Sequence, residues 1–320
     1  MTNYSIIIPH KNTQKLLQRC LNSIPKRNDL EIIVVDDNSN PDVVNFNNFP
    51  GKERIHTKII FTKEEKGAGY ARNIGMKHAT GKWILFADAD DFFLENIIDI
   101  LDIYNNSESN IILFKTQCRL SNNISLEGNR QTLCNTWNNL IDQYNKGNIS
   151  SKEILSKVIV PWGKMIKKDF LLEHDITFEE IPVANDVIWS TYLSLNISNN
   201  DFIASPHTIY CLTENPNSLF NNKNRQSFLT RFEVLHRQKK ILEQYKIEGF
   251  EKINYNFYLT QAQKLGIITL LKSIYISIKY NHSIDSIYKV EKKLSFKFPY
   301  FYFFVIILQC IYYNLIGKTK

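Results

Sequence analysis

Short apolar runs alternate with amphipathic stretches over the first 120 residues. The runs are rich in Ile, Val and Phe, have the length of buried strands, and end in proline or polar residues. They predict strands at residues 4–9, 30–39, 57–63, 83–91 and 110–120. Between them, apolar residues recur at helical spacing and predict helices at residues 12–24, 67–80 and 92–106. This order indicates an α/β fold with a largely parallel sheet and helices on both faces.

The pattern changes after residue 120. Residues 121–160 are polar, rich in Asn and weakly patterned, which predicts a loop-rich insertion. Residues 161–180 predict a turn at a tryptophan followed by a helix, and residues 185–195 predict another helix. From residue 223 onward the periodicity is mainly helical, and a helix at residues 264–280 would place three lysines on one side.

Charge separates the chain into two parts. Residues 1–222 carry 22 Lys and Arg against 26 Asp and Glu, whereas residues 223–320 carry 17 against 6. Strongly basic regions bind nucleic acid or anionic membrane surfaces. Since the basic region has no helix-turn-helix, zinc-finger or RNA-binding pattern, we expect a membrane surface as its partner and no nucleic acid.

Residues 298–317 are uncharged and have lysines on both sides. Twenty apolar residues suffice to cross a bilayer, but Pro299, Gln309, Asn314 and several tyrosines weaken that interpretation. Attachment in the membrane interface is favoured over packing in the core and over a true span. The five cysteines are scattered without metal-ligand spacing, which favours reduced thiols in the cytosol over disulfides or structural zinc.

Two acidic clusters follow predicted strands. Asp36 and Asp37 end the second strand, and Asp88, Asp90 and Asp91 follow the apolar run of the fourth. Ligands of such sheets bind beyond the carboxyl ends of the strands. Asp88 and Asp90 point the same way in an extended segment, so they predict a site for Mg²⁺ or Mn²⁺. The alternative is a solvated acidic turn, in which Asp91 caps the following helix.

Four motifs in this order resemble the family 2 glycosyltransferases, which have the GT-A fold with a Rossmann-like, mixed and mostly parallel sheet. The motifs are SIIIPHKN (5–12), EIIVVDDNS (31–39), KGAGYARNIGMKHATGKWILFADADDFF (66–93), and PWGKMIKKDFL with NDVIW (161–171 and 185–189). The resemblance covers roughly residues 1–200. It implies a catalytic domain at residues 1–222, in which residues 1–120 bind the nucleotide sugar and residues 121–222 the acceptor. The chain departs from the family pattern at Lys11, where Tyr or Thr is more frequent, and at Asn185, where Glu is.

The resemblance implies a donor site built from several matching residues. Pro9 and Asp37 would line the base pocket, with Asp37 accepting the N3–H of uracil, and Asp36 would lie on the sheet side or near the ribose. Arg72 and Asn73 match positions beside the donor. The alternatives are turn chemistry for the two aspartates and a solvated helix face for Arg72. By the same resemblance, Asp90 binds the metal directly, and Asp88 lies nearer the ribose or the waters of the ion.

Gly67 and Gly69 lack the third glycine of a dinucleotide fingerprint, so they are interpreted as a flexible start of the helix.

The catalytic base implied by the resemblance is Asp186. A single carboxylate base without a covalent intermediate would give one displacement with inversion at the anomeric carbon. An N-cap role for Asp186 is the alternative. Trp162 and Lys164 match the W-x-K that precedes the base and are acceptor-side candidates together with Asp91, although a buried structural Trp162 is equally compatible with the pattern.

The sequence therefore predicts an inverting, metal-dependent glycosyltransferase at the cytoplasmic face of the inner membrane. Its donor would be a UDP-sugar, and its acceptor a glycan or lipid-linked glycan of a surface polysaccharide such as capsule or O-antigen. Two other classes are weighed against it. An aspartyl phosphotransferase also uses D-x-D after an apolar strand, and a membrane-bound module could keep the fold without catalysis.

Overall fold

A computed structural model of the chain describes residues 2–214, 224–247 and 253–280. This described part contains nine strands, all in one sheet, and ten α-helices. In chain order they are β1 (Tyr4–His10), α1 (Gln14–Asn22), β2 (Leu30–Asp37), β3 (Thr57–Thr62), α2 (Ala68–His78), β4 (Trp83–Phe86), β5 (Phe92–Phe93), α3 (Ile97–Tyr104), β6 (Ile111–Leu120), β7 (Asn123–Glu127), α4 (Gln131–Asn145), α5 (Ser151–Lys157), β8 (Lys164–Lys167), α6 (Lys168–Glu173), α7 (Asn185–Asn196), β9 (Phe202–Glu214), α8 (Arg225–Gln244), α9 (Tyr255–Lys264) and α10 (Ile267–Tyr280).

The sheet has the strand order β3-β2-β1-β4-β8-β6-β9-β5, and β7 pairs with β6. β1 is parallel to both of its neighbours, β2 and β4, and β3 is parallel to β2. β8 runs antiparallel to β4 and β6, which makes the sheet mixed. The predicted α/β class with a mixed, mostly parallel sheet is confirmed.

The three strands β1, β2 and β4 are buried because each contains a continuous run of large apolar residues, 6–8 in β1, 32–35 in β2 and 83–86 in β4. Every residue of β1 and β4 is buried, and in β2 only Glu31 keeps partial exposure. Continuous runs of Ile and Val suit strands of a parallel sheet that is covered on both faces. These strands place the residues that follow them at one edge of the sheet.

The prediction of a loop-rich insertion at residues 121–160 is wrong. This segment forms β7 and the helices α4 and α5. Helix α4 buries Cys134, Trp137, Leu140 and Ile141, which occupy positions i, i+3, i+6 and i+7 of one helix face. The other positions of α4 hold many Asn and Gln residues, so the composition of the segment does not reveal the apolar face of the helix.

Strand and helix boundaries near the second acidic cluster also differ from the prediction. β4 ends at Phe86, and α3 begins at Ile97 rather than at residue 92. Phe92 and Phe93 form β5, which is antiparallel to β9. Neither β9 nor β8 is predicted from the sequence pattern, and β8 lies inside the segment expected to be a turn and a helix.

The chain divides into two compact units, Met1–Asn221 and Asn222–Lys320. The first unit contains the sheet. In the second, helices α8, α9 and α10 enclose an apolar core of their own, with Phe232, Leu259 and Leu270 almost completely buried.

The predicted helix at residues 264–280 is two helices. α9 ends at Lys264, and α10 begins at Ile267 after Gly266, whose φ of +108° is a left-handed conformation that favours glycine. Lys264 therefore does not share a helix with the other two lysines. Among the residues that the structure describes, no helix is both long and apolar enough to cross a bilayer. The stretch 298–317 lies outside the described residues.

Candidate active site

The two acidic clusters lie at the same edge of the sheet. β1 is the direct neighbour of β2, which ends in Asp36 and Asp37, and of β4, which Asp88 and Asp90 follow. Because the three strands are parallel, the chain leaves the sheet on the same side at each of them. One strand, ending at His10, separates the clusters.

Asp36 is buried, and its carboxylate stabilises the turn that follows β2. Its carboxylate accepts hydrogen bonds from His10 Nδ1 at 2.6 Å and from the backbone N–H and hydroxyl of Ser39 at 3.0 and 2.6 Å. His10 Nε2 accepts the Thr13 N–H at 3.2 Å, so the proton of a neutral imidazole lies on Nδ1. Burial would raise the pKa of Asp36, but these hydrogen bonds outweigh it and hold the pKa below its ordinary value. This arrangement favours turn chemistry over contact with a ribose.

Asp37 connects the end of β2 to the start of α2. It is 2% exposed, and its oxygens accept the N–H groups of Lys66 at 3.2 Å and Gly67 at 2.7 Å. Pro9, expected to end its strand, lies inside β1, which continues for one more residue. β4 ends opposite Ile7, so Pro9 pairs with β2 but has no strand neighbour on the side of β4. The missing N–H of proline is tolerated at such an unpaired position.

The glycines at the start of α2 are required by conformation and by close packing, which corrects the expectation of a flexible segment. Gly67 has a φ of +91°. A Cβ on Gly69 would lie 2.1 Å from the carbonyl oxygen of Glu179, far inside contact distance. The first turn of α2 therefore packs directly on the segment that precedes α7.

Arg72 joins the acidic cluster to helix α7. Its guanidinium donates from Nη2 to Asp88 Oδ1 at 2.7 Å and from Nη1 to Asn185 Oδ1 at 2.9 Å. It lies over the ring of Phe178, 5.3 Å from the centroid, and is 5% exposed. The alternative of a solvated helix face for Arg72 is therefore excluded.

Asn73 fixes the segment before α7. Its side-chain amide donates to the Phe178 carbonyl oxygen at 2.9 Å and accepts the Phe178 N–H at 2.8 Å. Both halves of the amide are used in this pair, and Asn73 is 9% exposed. Asn73 thus holds the backbone at Phe178 in place and makes its contribution to the site through that segment.

Asp88 and Asp90 are half-buried, and they repel each other. Burial, followed by the charge of Asp88, raises the pKa of Asp90 to about 6. Asp88 has its ion pair with Arg72, whereas the carboxylate of Asp90 has no ion pair among the described residues. The carboxylate of Asp90 is the least compensated charge of the cluster.

Asp91 is buried, and the alternative that it caps a following helix is wrong because Phe92 starts a strand. Its carboxylate accepts the Tyr210 hydroxyl at 2.7 Å and the Thr213 N–H at 2.6 Å. Burial and the neighbouring carboxylates raise the pKa of Asp91 well above its ordinary value. At 1% exposure, Asp91 offers no surface to an acceptor.

Asp186 lies in the first turn of α7, directly after Asn185, and is half-buried. The N-cap position is Ala184, with a φ of +59°, and no side chain caps the helix there. Burial raises the pKa of Asp186, and the positive charge of Arg72 opposes that rise. The structure therefore brings Asp186 into the electrostatic range of Arg72 and Asp88, and the alternative of an N-cap role is wrong.

Trp162 and Lys164 are buried, at 3% and 1% exposure. Trp162 stacks on Tyr210, with ring centroids 5.2 Å apart. Lys164 Nζ donates to the carbonyl oxygens of Val158, at 2.8 Å, and Val160. Burial lowers the pKa of Lys164 to about 7, against the opposing charge of Asp186. Neither side chain offers an exposed surface to an acceptor, so the contacts of both lie within the protein interior.

Residues 5–172 match the family model described as Glycosyl transferase family 2, which covers more than half of the chain. The chain belongs to glycosyl transferase family 2. The four motifs that suggested the family lie in or just beyond the matched segment, and the acidic edge of the sheet lies within it.

Two curated relatives of this family 2 chain come from Staphylococcus aureus. The poly(ribitol-phosphate) β-N-acetylglucosaminyltransferase TarP is 26% identical over 253 residues, which cover 73% of this chain and 71% of TarP. TarS, of the same description, is 29% identical over 121 residues, covering 36% of this chain but only 21% of TarS. The crystal structure of S. aureus TarS 1–349 in complex with UDP-GlcNAc superposes with a TM-score of 0.62 at 18% identity, covering 87% of this chain and 80% of that one. The structural likeness supports the GT-A fold.

Three further residues of the site have no motif in the sequence. Arg19, Tyr210 and Thr213 all contact the segment between β4 and β5. They lie 71, 122 and 123 residues away in the sequence from their partners in that segment, so no local pattern places them there. The unpredicted strand β9 supplies two of them.

Proposed function

We propose that this glycosyltransferase is metal-dependent and inverting, and that it transfers a sugar from a UDP-sugar to a hydroxyl of a glycan or lipid-linked glycan. The observation that carries this proposal is the position of Arg72 between Asp88 and Asn185, with hydrogen bonds of 2.7 and 2.9 Å. Through this one side chain, the carboxylates beside β4 and the helix that carries Asp186 meet at a single place.

The pair of carboxylates fits a divalent cation that also binds the substrate. Asp88 and Asp90 supply the oxygen ligands that Mg²⁺ and Mn²⁺ prefer, and Asp90 carries a poorly compensated charge. No group of three or more His, Cys, Asp and Glu in the described residues forms a metal site, so the diphosphate would complete the coordination. When bound, the cation neutralises the diphosphate leaving group as a Lewis acid.

The donor is held at the edge formed by β1, β2 and β4. We place the nucleotide base beside Pro9 and Asp37, where the Asp37 carboxylate fixes the backbone of Lys66 and Gly67 by accepting both of their N–H groups. The Arg72 guanidinium faces the diphosphate end next to Asp88. Asn73 contributes indirectly, since it holds the Phe178 backbone on which Arg72 lies.

Asp186 takes the proton from the acceptor hydroxyl. A carboxylate whose pKa is raised by burial is a better base than an exposed one, and such positioned bases contribute about 10²–10⁴ in rate. One carboxylate base is sufficient, and no covalent intermediate with the enzyme is needed. The acceptor hydroxyl therefore attacks in a single displacement that inverts the anomeric carbon.

The acceptor belongs to a cell-surface polymer. The sequence suggested capsule or O-antigen polysaccharide, and the S. aureus relatives act on poly(ribitol phosphate). All three polymers present hydroxyl groups as nucleophiles, so all three belong in the acceptor test.

The test is a screen of UDP-sugars for hydrolysis and transfer with and without Mn²⁺, beside a panel of phosphate monoesters. We expect Mn²⁺-dependent release of UDP from one sugar donor, and its loss in Asp90→Ala. Turnover of phosphate monoesters without use of any donor would support an aspartyl phosphotransferase instead. Calorimetry without UDP binding in the presence of Mn²⁺ would support an inactive module.

We also propose that the basic second unit attaches the enzyme to the cytoplasmic face of the inner membrane. The residues from 253 to 280 contain three lysines and no Asp or Glu. On α10, Ile267, Ile268 and Tyr275 are 61%, 51% and 48% exposed, and Lys272 is exposed beside them. Apolar side chains next to lysines suit the headgroup region of an anionic bilayer.

Vesicle flotation tests this attachment. We expect the protein to float with phosphatidylglycerol vesicles and not with phosphatidylcholine, and Ile268→Asp with Lys272→Glu to weaken flotation. Lys146→Glu, at an exposed position of the first unit, is the matched control. Removal of residues 298–320 is expected to weaken binding further, and a truncated protein that still sediments fully with membranes would contradict a role for that stretch.

A further inference from the structure

Arg19 contacts three separate segments around the acidic cluster. It lies on α1, and its Nη1 donates to the Ser121 carbonyl oxygen at 3.0 Å. Its Nη2 donates to Thr213 Oγ1 at 3.0 Å and to the backbone carbonyl oxygen of Asp90. The guanidinium also lies over the ring of Phe92, 5.6 Å from its centroid. One half-buried side chain thus links α1, the β6–β7 turn, the end of β9 and the metal-site segment.

Thr213 completes this contact from the other side. Its hydroxyl donates to the same Asp90 carbonyl oxygen while accepting from Arg19. Its backbone N–H donates to Asp91 Oδ1. The main chain at Asp90 is therefore held by two donors on its carbonyl, and the next side chain is held by β9.

We propose that Arg19 and Thr213 position the carboxylate of Asp90 for the divalent cation, a role that rests on the proposed metal-dependent function. Neither residue touches the proposed cation or donor, so both are positioning residues. Both residues donate to the backbone carbonyl oxygen of Asp90 and so fix the main chain there. The direction in which the Asp90 side chain leaves the main chain is fixed with it. Groups that orient a metal ligand from behind typically contribute about 10–100-fold to metal affinity.

Arginine suits this task better than lysine. Its planar fork presents donors in fixed directions, and here two nitrogens reach acceptors on different segments. Lysine would keep the charge beside the acidic cluster but concentrate its donors at one atom. The comparison of Arg19→Lys with the wild type therefore separates geometry from charge.

Isothermal titration calorimetry of UDP, with and without Mn²⁺, tests the proposal on the full chain. The quantity measured is the ratio of the two Kd values, which is the gain in UDP affinity due to Mn²⁺. We expect this gain to fall about tenfold or more in Arg19→Lys and in Thr213→Val. Thr213→Ser keeps the hydroxyl and is expected to keep the gain. Arg27→Lys is the matched control, because Arg27 pairs with Asp29 and Asp102 away from the site.

The outcomes distinguish this inference from the proposed function. A wild type without any Mn²⁺-dependent gain overturns the metal-dependent function and this inference with it. A wild type that shows the gain, with Arg19→Lys and Thr213→Val showing the same gain, overturns the inference alone. A merely structural role would lower the melting temperature and the binding stoichiometry but leave the Kd ratio of the folded fraction unchanged. If Arg19→Lys does not fold, the Thr213→Val and Thr213→Ser pair decides.

Discussion

Arg72 donates one hydrogen bond to Asp88 and another to Asn185, residues that lie 16 and 113 positions away in the sequence. Asp88 belongs to the proposed metal site, and Asn185 directly precedes the proposed base Asp186. A single guanidinium thus links the proposed metal site to the helix that carries the proposed base. The chain has Asn at position 185, so the charge of Arg72 is shared with Asp88 and not with a second carboxylate at that position.

Replacing Arg72 by Lys is expected to lower kcat/KM about 10–100-fold, because hydrogen bonds to charged groups contribute about 1.5–3 kcal/mol. Lysine cannot span both partners in the planar geometry that Arg72 uses. Steady-state transfer assays measure the effect. Asn185→Ala removes the hydrogen bond between Arg72 and α7 and leaves the ion pair of Arg72 with Asp88 in place, so it should lower kcat and leave UDP affinity within about twofold. Equal losses of UDP affinity in both variants would contradict the bridging role.

Asp186→Asn is expected to keep UDP affinity and to lose transfer by about 10²–10⁴-fold, since the amide cannot accept the acceptor's proton. The raised pKa of Asp186 also sets a sign for the pH dependence. In the wild type, kcat should fall as the pH decreases through a pKa above the ordinary value of 3.8, because protonation removes the base. Asp169→Asn is the control, since Asp169 is exposed in the first turn of α6. Turnover of Asp186→Asn near that of the wild type would show that another group is the base.

The parts of the fold that are predictable from the sequence are those specified by neighbouring residues. β1, β2 and β4 are continuous apolar runs, and the Asp88–Asp90 pair is visible because two carboxylates stand two positions apart. The partners of that pair are not visible, because Arg19 and Thr213 reach Asp90 from 71 and 123 residues away.

Residues of the same motif also differ in burial, and the sequence does not show that difference. Asp88 and Asp91 look alike in the sequence, yet one is half-exposed beside Arg72 and the other is enclosed by Tyr210 and Thr213. Similarly, β5 has only two residues and exists because β9 pairs with it. Such features depend on tertiary contacts, which a local pattern does not contain.

The His10–Asp36 pair predicts an acid-dependent loss of stability. Because the pKa of Asp36 is lowered in the fold, its contribution is present above the unfolded-state value near 3.8 and is lost as the pH falls below it. Asp36→Asn is expected to destabilise the first unit by about 1.5–3 kcal/mol at pH 7, since it removes the charge that strengthens the buried hydrogen bonds from His10 and Ser39, and the difference from the wild type should shrink below pH 4. Urea unfolding followed by tryptophan fluorescence measures this, because all four tryptophans lie in the first unit.

The matched control for Asp36 is Asp42→Asn, at an exposed position of the following loop. It should change stability by less than about 0.5 kcal/mol at either pH. A destabilisation by Asp36→Asn that stayed the same from pH 7 to pH 3 would mean that the negative charge of Asp36 adds nothing to its hydrogen bonds with His10 and Ser39.

Lys164 predicts a pH dependence of stability with the same sign, but on the alkaline side. Its pKa is lowered to about 7 by burial, so between pH 7 and the unfolded-state value near 10.5 the unfolded chain binds more protons than the folded one. Stability from this group therefore rises with pH over that window, by up to about 1.4 kcal/mol per pH unit. Lys164→Met should remove the slope, as measured by urea unfolding at pH 7, 8 and 9. The exposed Lys146→Met should leave the slope unchanged, and a slope that persists in Lys164→Met would show that the amine titrates near its ordinary value in the fold.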